Sequence, residues 1–435
     1  MQKPLSGFLL ITFLFLGINL LAQDSADKDG REQDTVKLKK NCQPRDILEL
    51  ILKKPLLINQ NEEKRFNIIV IPFLGYTPAT GLQFGAGAAW TLKTSIGTNT
   101  KLSAGMLQAY YTTEKQLVVQ FRTNIYTYRN LWFLQGDWRL YLFQQPTYGL
   151  GSSNQHFIPL PSDPPETRVD SNLNGKYAMK YNWFKFHEIF SRKLSPSLYA
   201  GLGYHLDYHF SIKDENLRSD SSFLYTTPHY SYCKKYEFNN NRYISSGISA
   251  NFVYDTRDNI VNSYKGVYVN VNYRTNFTWL GSDENGSTLW SEFRTYVSLS
   301  KRLPRHLIAF WTYGSFQLSG KIPYLDLMSN AFDQMNSSGR GYEQGHWRGQ
   351  DFAYGEVEYR FPISQCSQIL GGVVFVNFTT ASDRDQHVPL FGFVKPAGGI
   401  GLRIMVNKED RTNISIDYAI ADGSKGFYFQ LQEIF

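Results

Sequence analysis

Residues 116–126 read QLVVQFRTNIY, and over most of this stretch apolar and polar side chains fall on alternate positions. Leu117 and Val119 fall on one face of an extended chain, whereas Gln120 and Arg122 fall on the other. Successive side chains of a β-strand point to opposite faces. The period of two therefore predicts a strand with one apolar side and one polar side.

The same alternation recurs along nearly the whole chain, in segments separated by connections that are alternately short and long. In a transmembrane barrel, short turns lie on the periplasmic side and long loops on the outer side. The pattern predicts an all-β fold, a transmembrane antiparallel β-barrel of about 16 strands, over residues 65–435. The predicted strands are 66–76, 82–92, 101–112, 116–127, 131–143, 176–192, 197–212, 242–254, 266–276, 289–300, 306–318, 352–363, 371–380, 398–406, 412–420 and 426–435.

A large soluble all-β protein is the alternative to a membrane barrel, and composition favours the barrel. Aromatic residues make up 16% of the chain, with 29 Tyr and 31 Phe, which suits girdles at two membrane interfaces. The mean hydropathy of −0.36 and the absence of long apolar runs after the start argue against membrane-spanning helices.

The start of the chain has the features of an export signal. Lys3 precedes an apolar run over 7–16, and Ala22 precedes a polar segment, so residues 1–22 are predicted to be a signal peptide. Residues 23–64 are predicted to be a periplasmic lead, with a short amphipathic helix at 46–54 before Pro55. We expect the protein in the outer membrane of a Gram-negative bacterium, in contact with membrane lipids.

The formal charge of +7 does not indicate a nucleic-acid partner. Arginines such as Arg122, Arg139 and Arg274 fall on the polar strand faces and form no clustered basic tract. The interpretation is a weakly basic lumen.

The three cysteines, Cys42, Cys233 and Cys366, have neither metal-ligand spacing nor the pattern of a disulfide framework. No metal and no cofactor are expected. Cys42 and Cys366 both fall on the periplasmic side of the predicted topology, so a disulfide between them is a hypothesis for an oxidising compartment.

One loop and the strand after it have complementary charges. The loop 320–350 contains Gly339-Arg340-Gly341-Tyr342, and the next strand places Glu356, Glu358 and Arg360 on its inward face. A guanidinium that enters a barrel lumen stays charged and needs a carboxylate partner.

These residues resemble the BamA/TamA surface-antigen superfamily of outer-membrane barrels. The resemblance extends over 66–435 and includes a turn motif with Asp255, Arg257, Asp258, Asn259 and the following Gly266. It continues in Gly399-Ile400-Gly401-Leu402-Arg403 and in the closing strand that ends on Phe435.

The resemblance implies that the sixth outer loop folds back into the lumen and that Arg340 pairs with Glu358. We name this set of residues the lumenal latch: Arg340, Gly341, Tyr342, Glu358 and Asn377. Asn377 stands where the family usually has an aspartate that faces the same arginine, which predicts a differently tuned contact.

The resemblance also implies a function. Residues 23–64 are too short for a POTRA domain, so the chain resembles a barrel-only branch, with a role in outer-membrane protein assembly or translocation. Protein clients and a separate periplasmic protein that docks near 46–54 are the expected partners. The barrel seam, with Phe66, Gly426 and Phe435, is expected to pair, and a short or kinked pairing there would allow the barrel to open laterally towards lipid. The alternative function is a passive pore or structural barrel.

An enzyme is the third class considered, and it is not the prediction. His205, Asp207 and His209 alternate on one strand face, but no nucleophile motif accompanies them. They are interpreted as part of a polar lumen wall, and no catalytic residue is predicted.

Overall fold

The computed structural model describes residues 45–47, 66–77, 81–95, 100–153 and 157–435. The predicted signal peptide, Cys42 and most of the predicted lead with its short helix lie outside the described residues. The domain boundaries at 22 and 64 therefore stay predictions.

Sixteen strands form one antiparallel sheet that curves into a nearly closed barrel, and their order across the sheet follows their order along the chain. The prediction of an all-β barrel is confirmed. The barrel strands are β1 (Phe66–Thr77), β2 (Gly81–Leu92), β3 (Ser103–Thr112), β4 (Leu117–Tyr126), β5 (Trp132–Gln144), β7 (Met179–Ser195), β8 (Leu198–Asp214), β11 (Tyr243–Asp255), β12 (Gly266–Asn276), β13 (Gly286–Ser298), β14 (Leu307–Gly320), β15 (Asp351–Pro362), β16 (Leu370–Ala381), β17 (Lys395–Asn407), β18 (Thr412–Ala421) and β19 (Ser424–Leu431).

The long loops carry secondary structure that the alternation does not predict. One three-stranded loop sheet consists of β6 (Thr167–Arg168), β9 (Arg218–Ser219) and β10 (Leu224–Tyr225). The α-helix α1 (Pro228–Tyr236) begins with a proline in its first turn, and the Thr227 hydroxyl accepts a hydrogen bond from the Tyr230 N–H at 3.2 Å. Short 3₁₀ turns lie at Tyr128–Asn130, Ser171–Leu173, Thr278–Leu280 and Tyr324–Asp326.

None of the helices in the described part of the chain is long and apolar enough to cross a membrane.

Side-chain burial follows the alternation of the strands. On β16, Val374 and Val376 are exposed on the outer surface, whereas Phe375 and Asn377 are buried in the lumen. The lumen is thus filled with side chains and loops, and the outer surface is apolar, as a lipid-facing wall requires.

Short turns and long loops lie at opposite ends of the barrel, which we call the turn end and the loop end. Residues 127–131, 363–369 and 408–411 are turns, while 145–178, 215–242 and 382–394 are loops. The connection 321–350 also starts at the loop end, and we call it the lumen loop because it enters the barrel.

The last strand is shorter than predicted, and Phe435 is not part of it. β19 ends at Leu431, Gln432 has a φ of +102°, and the chain then turns into the lumen. Phe435 is 4% exposed. Residues 432–435, which we call the tail, therefore leave the barrel wall, because their side chains have partners inside.

The first and last strands are the two ends of the sheet order, and no backbone ladder joins them among the strands that the structure describes. The predicted pairing of 66–76 with 426–435 is thus not formed there. Ile71 of β1 and Leu431 of β19 still pack in one apolar cluster. The seam is a side-chain contact between two edge strands.

Candidate functional site

The tip of the lumen loop lies against the inner wall of the barrel. Gly339 and Gly341, on either side of Arg340, have φ values of +74° and +111°, which lie in the left-handed region that favours glycine. A Cβ on Gly341 would come within 2.8 Å of the Ala397 side chain. The glycines therefore let the loop backbone approach β17, and Arg340 is 1% exposed.

Three carboxylates surround the Arg340 guanidinium. Its Nη2 lies 2.6 Å from Glu356 and 2.5 Å from Glu358, and its Nη1 lies 2.5 Å from Asp417. The Phe375 ring centroid lies 3.5 Å from the guanidinium carbon. Charge-assisted hydrogen bonds of this kind are the strong ones, and the buried carboxylates would repel one another without the cation.

Two further arginines balance these carboxylates. Arg360 Nε donates to Glu358 at 2.7 Å, and Arg403 Nη1 donates to Asp417 at 2.5 Å. Glu358 and Asp417 therefore each bridge two guanidinium groups, and the lumenal latch is part of a larger charge network.

Strand register brings the members of the network together. Glu358 lies opposite Phe375 on the neighbouring strand, Phe375 lies opposite Gly399, and Gly401 lies opposite Asp417. A Cβ on Gly401 would come within 1.8 Å of an Asp417 carboxylate oxygen. The glycines of β17 leave the space that the acid and the aromatic ring occupy.

The structure brings most of the predicted latch together and adds a member. Arg340 contacts Glu358, and the Tyr342 hydroxyl donates to the Pro396 carbonyl at 2.8 Å. The Asn377 side-chain N–H donates to the backbone carbonyl of Arg340 at 2.9 Å, and its Oδ1 accepts no hydrogen bond from the guanidinium.

Asp417, which the sequence analysis missed, supplies an additional acid to Arg340 from β18. It is the only charged residue in the predicted strand 412–420, and this isolated charge could have identified it as a candidate partner of Arg340.

The tail is bound to the same network. Arg403 Nε donates to Glu433 at 2.7 Å, and Arg360 Nη2 donates to the Phe435 carbonyl at 3.1 Å. The Phe435 ring centroid lies 5.2 Å from that of Trp311. The tail is therefore fixed by both ion pairs and aromatic packing.

The lumen loop also contacts the tail directly. The Ser337 hydroxyl, three residues before Arg340, donates to the Ile434 carbonyl at 3.3 Å. The Tyr428 hydroxyl of β19 accepts from the Gly341 N–H at 2.8 Å. The loop tip, the last strand and the tail thus form one continuous contact.

The predicted turn motif is folded around Asp255, the last residue of β11. Asp255 accepts hydrogen bonds from Arg257 Nε and from the Tyr126 hydroxyl, both at 3.0 Å. Gly266 has a φ of +107°, and a Cβ there would come within 2.5 Å of the Thr256 carbonyl oxygen. The motif needs this glycine because the backbone doubles back on itself.

The other motif residues connect the turn to distant parts of the turn end. Asp258 pairs with Arg411 at 2.7 Å, and Asn259 accepts from the Asn262 N–H at 2.9 Å. Asn262 in turn donates to Glu433 at 3.4 Å. The turn that carries the motif therefore contacts the tail through Asn262, a contact that the sequence analysis did not predict.

The cluster with His205 and Asp207 lies in the lumen wall. Asp207 accepts from Arg274 at 2.6 Å and lies 2.8 Å from His187 Nε2. His205 Nε2 contacts the Ser249 hydroxyl at 2.6 Å, but its Nδ1 has no hydrogen-bond partner in the described residues. Asp207 thus does not orient the His205 ring.

His209 faces a different acid, which comes from the lumen loop. Its Nδ1 lies 3.2 Å from Asp326, and the Ser245 hydroxyl donates to Asp326 at 2.5 Å. Burial and the negative charge of Asp207 raise the pKa of Asp326 to about 8. His209 Nδ1 nevertheless has no hydrogen-bond partner among the described residues. A lumen cavity of 240 Å³ lies beside Asp207 and Asp326.

His346, a lone histidine of the lumen loop, is packed in the interior. Its ring stacks on Tyr148 at a centroid distance of 3.9 Å. Burial lowers its pKa to about 4.

The two described cysteines differ. Cys366 is disulfide-bonded. Cys233 on α1 is a free thiol, is 1% exposed and lies 3.3 Å from His229 Nε2. Cys42 lies outside the described residues, so its pairing with Cys366 stays a prediction.

Comparison with known proteins shows that the chain matches one family model and is similar to solved barrel structures. The Omp85 superfamily domain matches residues 84–435. The structure of BamA from Haemophilus ducreyi lacking POTRA domains 1–3 is 16% identical with a TM-score of 0.49, over 85% of this chain and 70% of that chain. CdiB from Acinetobacter baumannii is 12% identical with a TM-score of 0.48, over 85% of this chain and 60% of that chain. No curated protein matches the sequence.

Proposed function

Because the chain belongs to the Omp85 superfamily of outer-membrane barrels, we propose that it assembles or translocates proteins at the bacterial outer membrane. In this proposal two parts of the barrel have different roles. The seam between β1 and β19 receives the client, and the lumenal latch with the tail sets the position of β19.

The open seam is the observation that supports this proposal best. Two edge strands with no backbone ladder between them in the described part of the chain can offer their backbone N–H and C=O groups as a template for another extended chain. An exposed edge inside a bilayer is costly unless it is paired. A client strand that adds to β1 or β19 would satisfy those groups.

The tail connects the latch to the seam. Glu433 and Phe435 are held by Arg403 and Arg360, and these arginines share their carboxylates with Arg340. Movement of the lumen loop would therefore change the support of the tail. In this proposal the latch controls how far the end of β19 can move away from β1.

A partner protein at the turn end completes the proposal. The backbone N–H of Arg45 donates to the Ser367 carbonyl at 2.8 Å, so the lead reaches the turn between β15 and β16. A periplasmic protein that docks on the lead would be held close to the turn end. Affinity purification of the intact, natively extracted chain tests for such a partner.

A covalent lock across the seam tests the main proposal. We would introduce Ile71→Cys with Leu431→Cys, in a chain with Cys233→Ser, and oxidise the pair. The matched control is Ile414→Cys with Leu431→Cys, because Ile414 and Leu431 are already partners in the β18–β19 ladder.

We expect the seam lock to deplete outer-membrane proteins in cells that depend on the variant, and reductant to restore them. The control disulfide should leave them unchanged. If the seam lock has no effect while the purified chain conducts ions in planar bilayers, the passive pore becomes the better function.

A further inference from the structure

One residue on the outer surface of β16 breaks the burial pattern of that strand. Val374, Val376 and Phe378 point outward and are 48%, 39% and 44% exposed. Thr380 is next in this series and should also face the lipid, yet it is 3% exposed. Some other part of the protein must cover Thr380 from the outside.

The cover is a tight turn in the loop 382–394. The Gly392 N–H donates to the Pro389 carbonyl at 3.0 Å, which closes the turn, and the Phe391 N–H donates to the Thr380 hydroxyl at 3.0 Å. Because Thr380 lies on the outward face, this turn is folded over the outside of the barrel. The lumen loop, in contrast, folds inward.

The turn exposes large apolar side chains. Phe391, Phe393 and Val394 are 55%, 43% and 47% exposed. Residues 388–394 contain no ionisable side chain. The charged residues of the same loop are used elsewhere, since Arg384 pairs with Asp351 at 2.7 Å.

The backbone at Phe391 is in an unfavourable conformation for its residue type. Phe391 has a φ of +66° at the third position of the turn, where glycine or asparagine is usual. A bulky residue with positive φ is strained. The exposed ring of Phe391 gains little from packing in the described protein, so another apolar phase must stabilise it.

The position of the turn identifies that phase. Thr380 is two residues beyond Phe378 on one strand face, which places the turn roughly 7 Å above a lipid-facing aromatic ring. The apolar belt of β16 therefore continues without interruption into the turn.

We propose that the turn Pro389–Val394 inserts into the acyl chains of the membrane leaflet at the loop end. The apolar half of the loop lies in lipid, and the charged half is held by Asp351 of β15 and Lys235 of α1. The turn thereby fixes the height of β16 and β17 in the bilayer.

A fluorescent label at Phe391 tests the proposal in the intact chain. Phe391→Cys with Cys233→Ser would be labelled with the environment-sensitive NBD group and reconstituted into dioleoyl phosphatidylcholine vesicles, with or without a dibrominated phosphatidylcholine. Val376→Cys is the lipid-facing reference. Phe223→Cys, next to the loop sheet and 37% exposed, is the matched water-facing reference.

We expect bromolipid to quench NBD at 391 as strongly as at 376 and to leave NBD at 223 unquenched. Fluorescence at 391 that behaves like that at 223 would overturn the proposal.

Reaction with a membrane-impermeant maleimide gives a second readout without a fluorophore. In vesicles, the thiol of the Phe391→Cys variant should react more slowly with the maleimide than the thiol of the Phe223→Cys variant. Unfolding in denaturant should abolish this difference in rate. Equal rates in folded, reconstituted protein would also overturn the proposal.

Discussion

Arg340 of the lumen loop and Asp417 of β18 form a 2.5 Å ion pair inside the barrel, and both side chains are almost fully buried. Asp417 also binds Arg403, which binds Glu433 of the tail. The pair therefore joins the loop tip to the end of the last strand. Any change that breaks it should affect both.

Arg340→Ala should be strongly destabilising. The substitution leaves Glu356, Glu358 and Asp417 close together in the lumen with one cation fewer. Breaking a buried pair by removing one partner costs about 3–5 kcal/mol, because the remaining charges are uncompensated. The measurement is the free energy of unfolding in urea, in detergent or vesicles, together with heat-modifiable migration on a gel.

The control for Arg340 is Arg384→Ala, which removes an arginine whose side chain is 47% exposed in its pair with Asp351. An exposed pair contributes about 0–1 kcal/mol, so little should change. Arg340→Lys should fall between the two, because an ammonium lacks the planar fork that reaches three acids. Equal losses for Arg340→Ala and Arg384→Ala would contradict the importance of the latch.

Gly401→Ala should disturb the network from the wall side. Its Cβ would come within 1.8 Å of Asp417, so the acid must move away from Arg340 and Arg403. Overpacking of this kind costs about 1–3 kcal/mol. Gly355→Ala is the matched control, because a Cβ there meets nothing within 4 Å. The free energy of unfolding should be lower for Gly401→Ala than for Gly355→Ala. Similar values for the two variants would argue against a tight contact at β17.

The alternation of side chains was enough to predict the sixteen strands, because burial on one face is a local property of each strand. It could not predict where β19 ends. Residues 426–435 continue the strand pattern, but Glu433 and Phe435 gain more from Arg403, Arg360 and Trp311 than from the wall. These partners are distant in sequence, so their contacts depend on the closed barrel.

The lumenal latch could likewise be predicted only where its residues are close in sequence or related by the family resemblance. Arg340 and Glu358 stand in one loop and the strand after it, and a family resemblance relates them. Asp417 is 77 residues from Arg340, and its role depends on the curvature that brings β18 to face β15. Asn377 was placed on the correct strand face, but its partner is a backbone carbonyl, which no pattern of side chains reveals.

Phe435→Ala should weaken the support of the last strand. The ring is 4% exposed and packs on Trp311 and over the Arg360 guanidinium. Loss of a buried phenylalanine costs about 3–5 kcal/mol. Phe223→Ala is the control, because that ring is 37% exposed next to the loop sheet, away from the lipid-facing wall, and its loss should cost about 1 kcal/mol or less. Urea unfolding of both variants tests this, and a mild Phe435→Ala phenotype would mean that the tail is dispensable.

The loop end should lose stability as the pH rises. Burial would lower the pKa of His229, but the Cys233 sulfur and the Asp214 carboxylate at 2.7 Å raise it to about 10. The folded-state pKa lies above the unfolded value of about 6.5. The stabilisation is therefore complete below pH 6.5 and is lost as the pH rises towards 10.

His229→Gln should remove this pH dependence. The free energy of unfolding of the unaltered chain should fall more than that of the variant between pH 6.5 and pH 10. Tyr243 and Tyr324, whose rings contact His229, remain in both proteins and provide the same background titration. Parallel curves for the two proteins would mean that the pair with Asp214 is not formed in solution.

A Cys42→Ser substitution should change the mobility of the chain on a non-reducing gel. Cys366 is disulfide-bonded and Cys233 is a free, buried thiol, and the sequence contains three cysteines. A bond between Cys42 and Cys366 would close a loop that includes the lead and most of the barrel, so the oxidised, denatured chain should migrate faster than the reduced one. Cys42→Ser should migrate like the reduced chain with or without reductant, whereas Cys233→Ser should keep the shift. If the band of Cys42→Ser still responds to reductant, Cys366 has a different partner and the lead is not tethered to the turn end in this way.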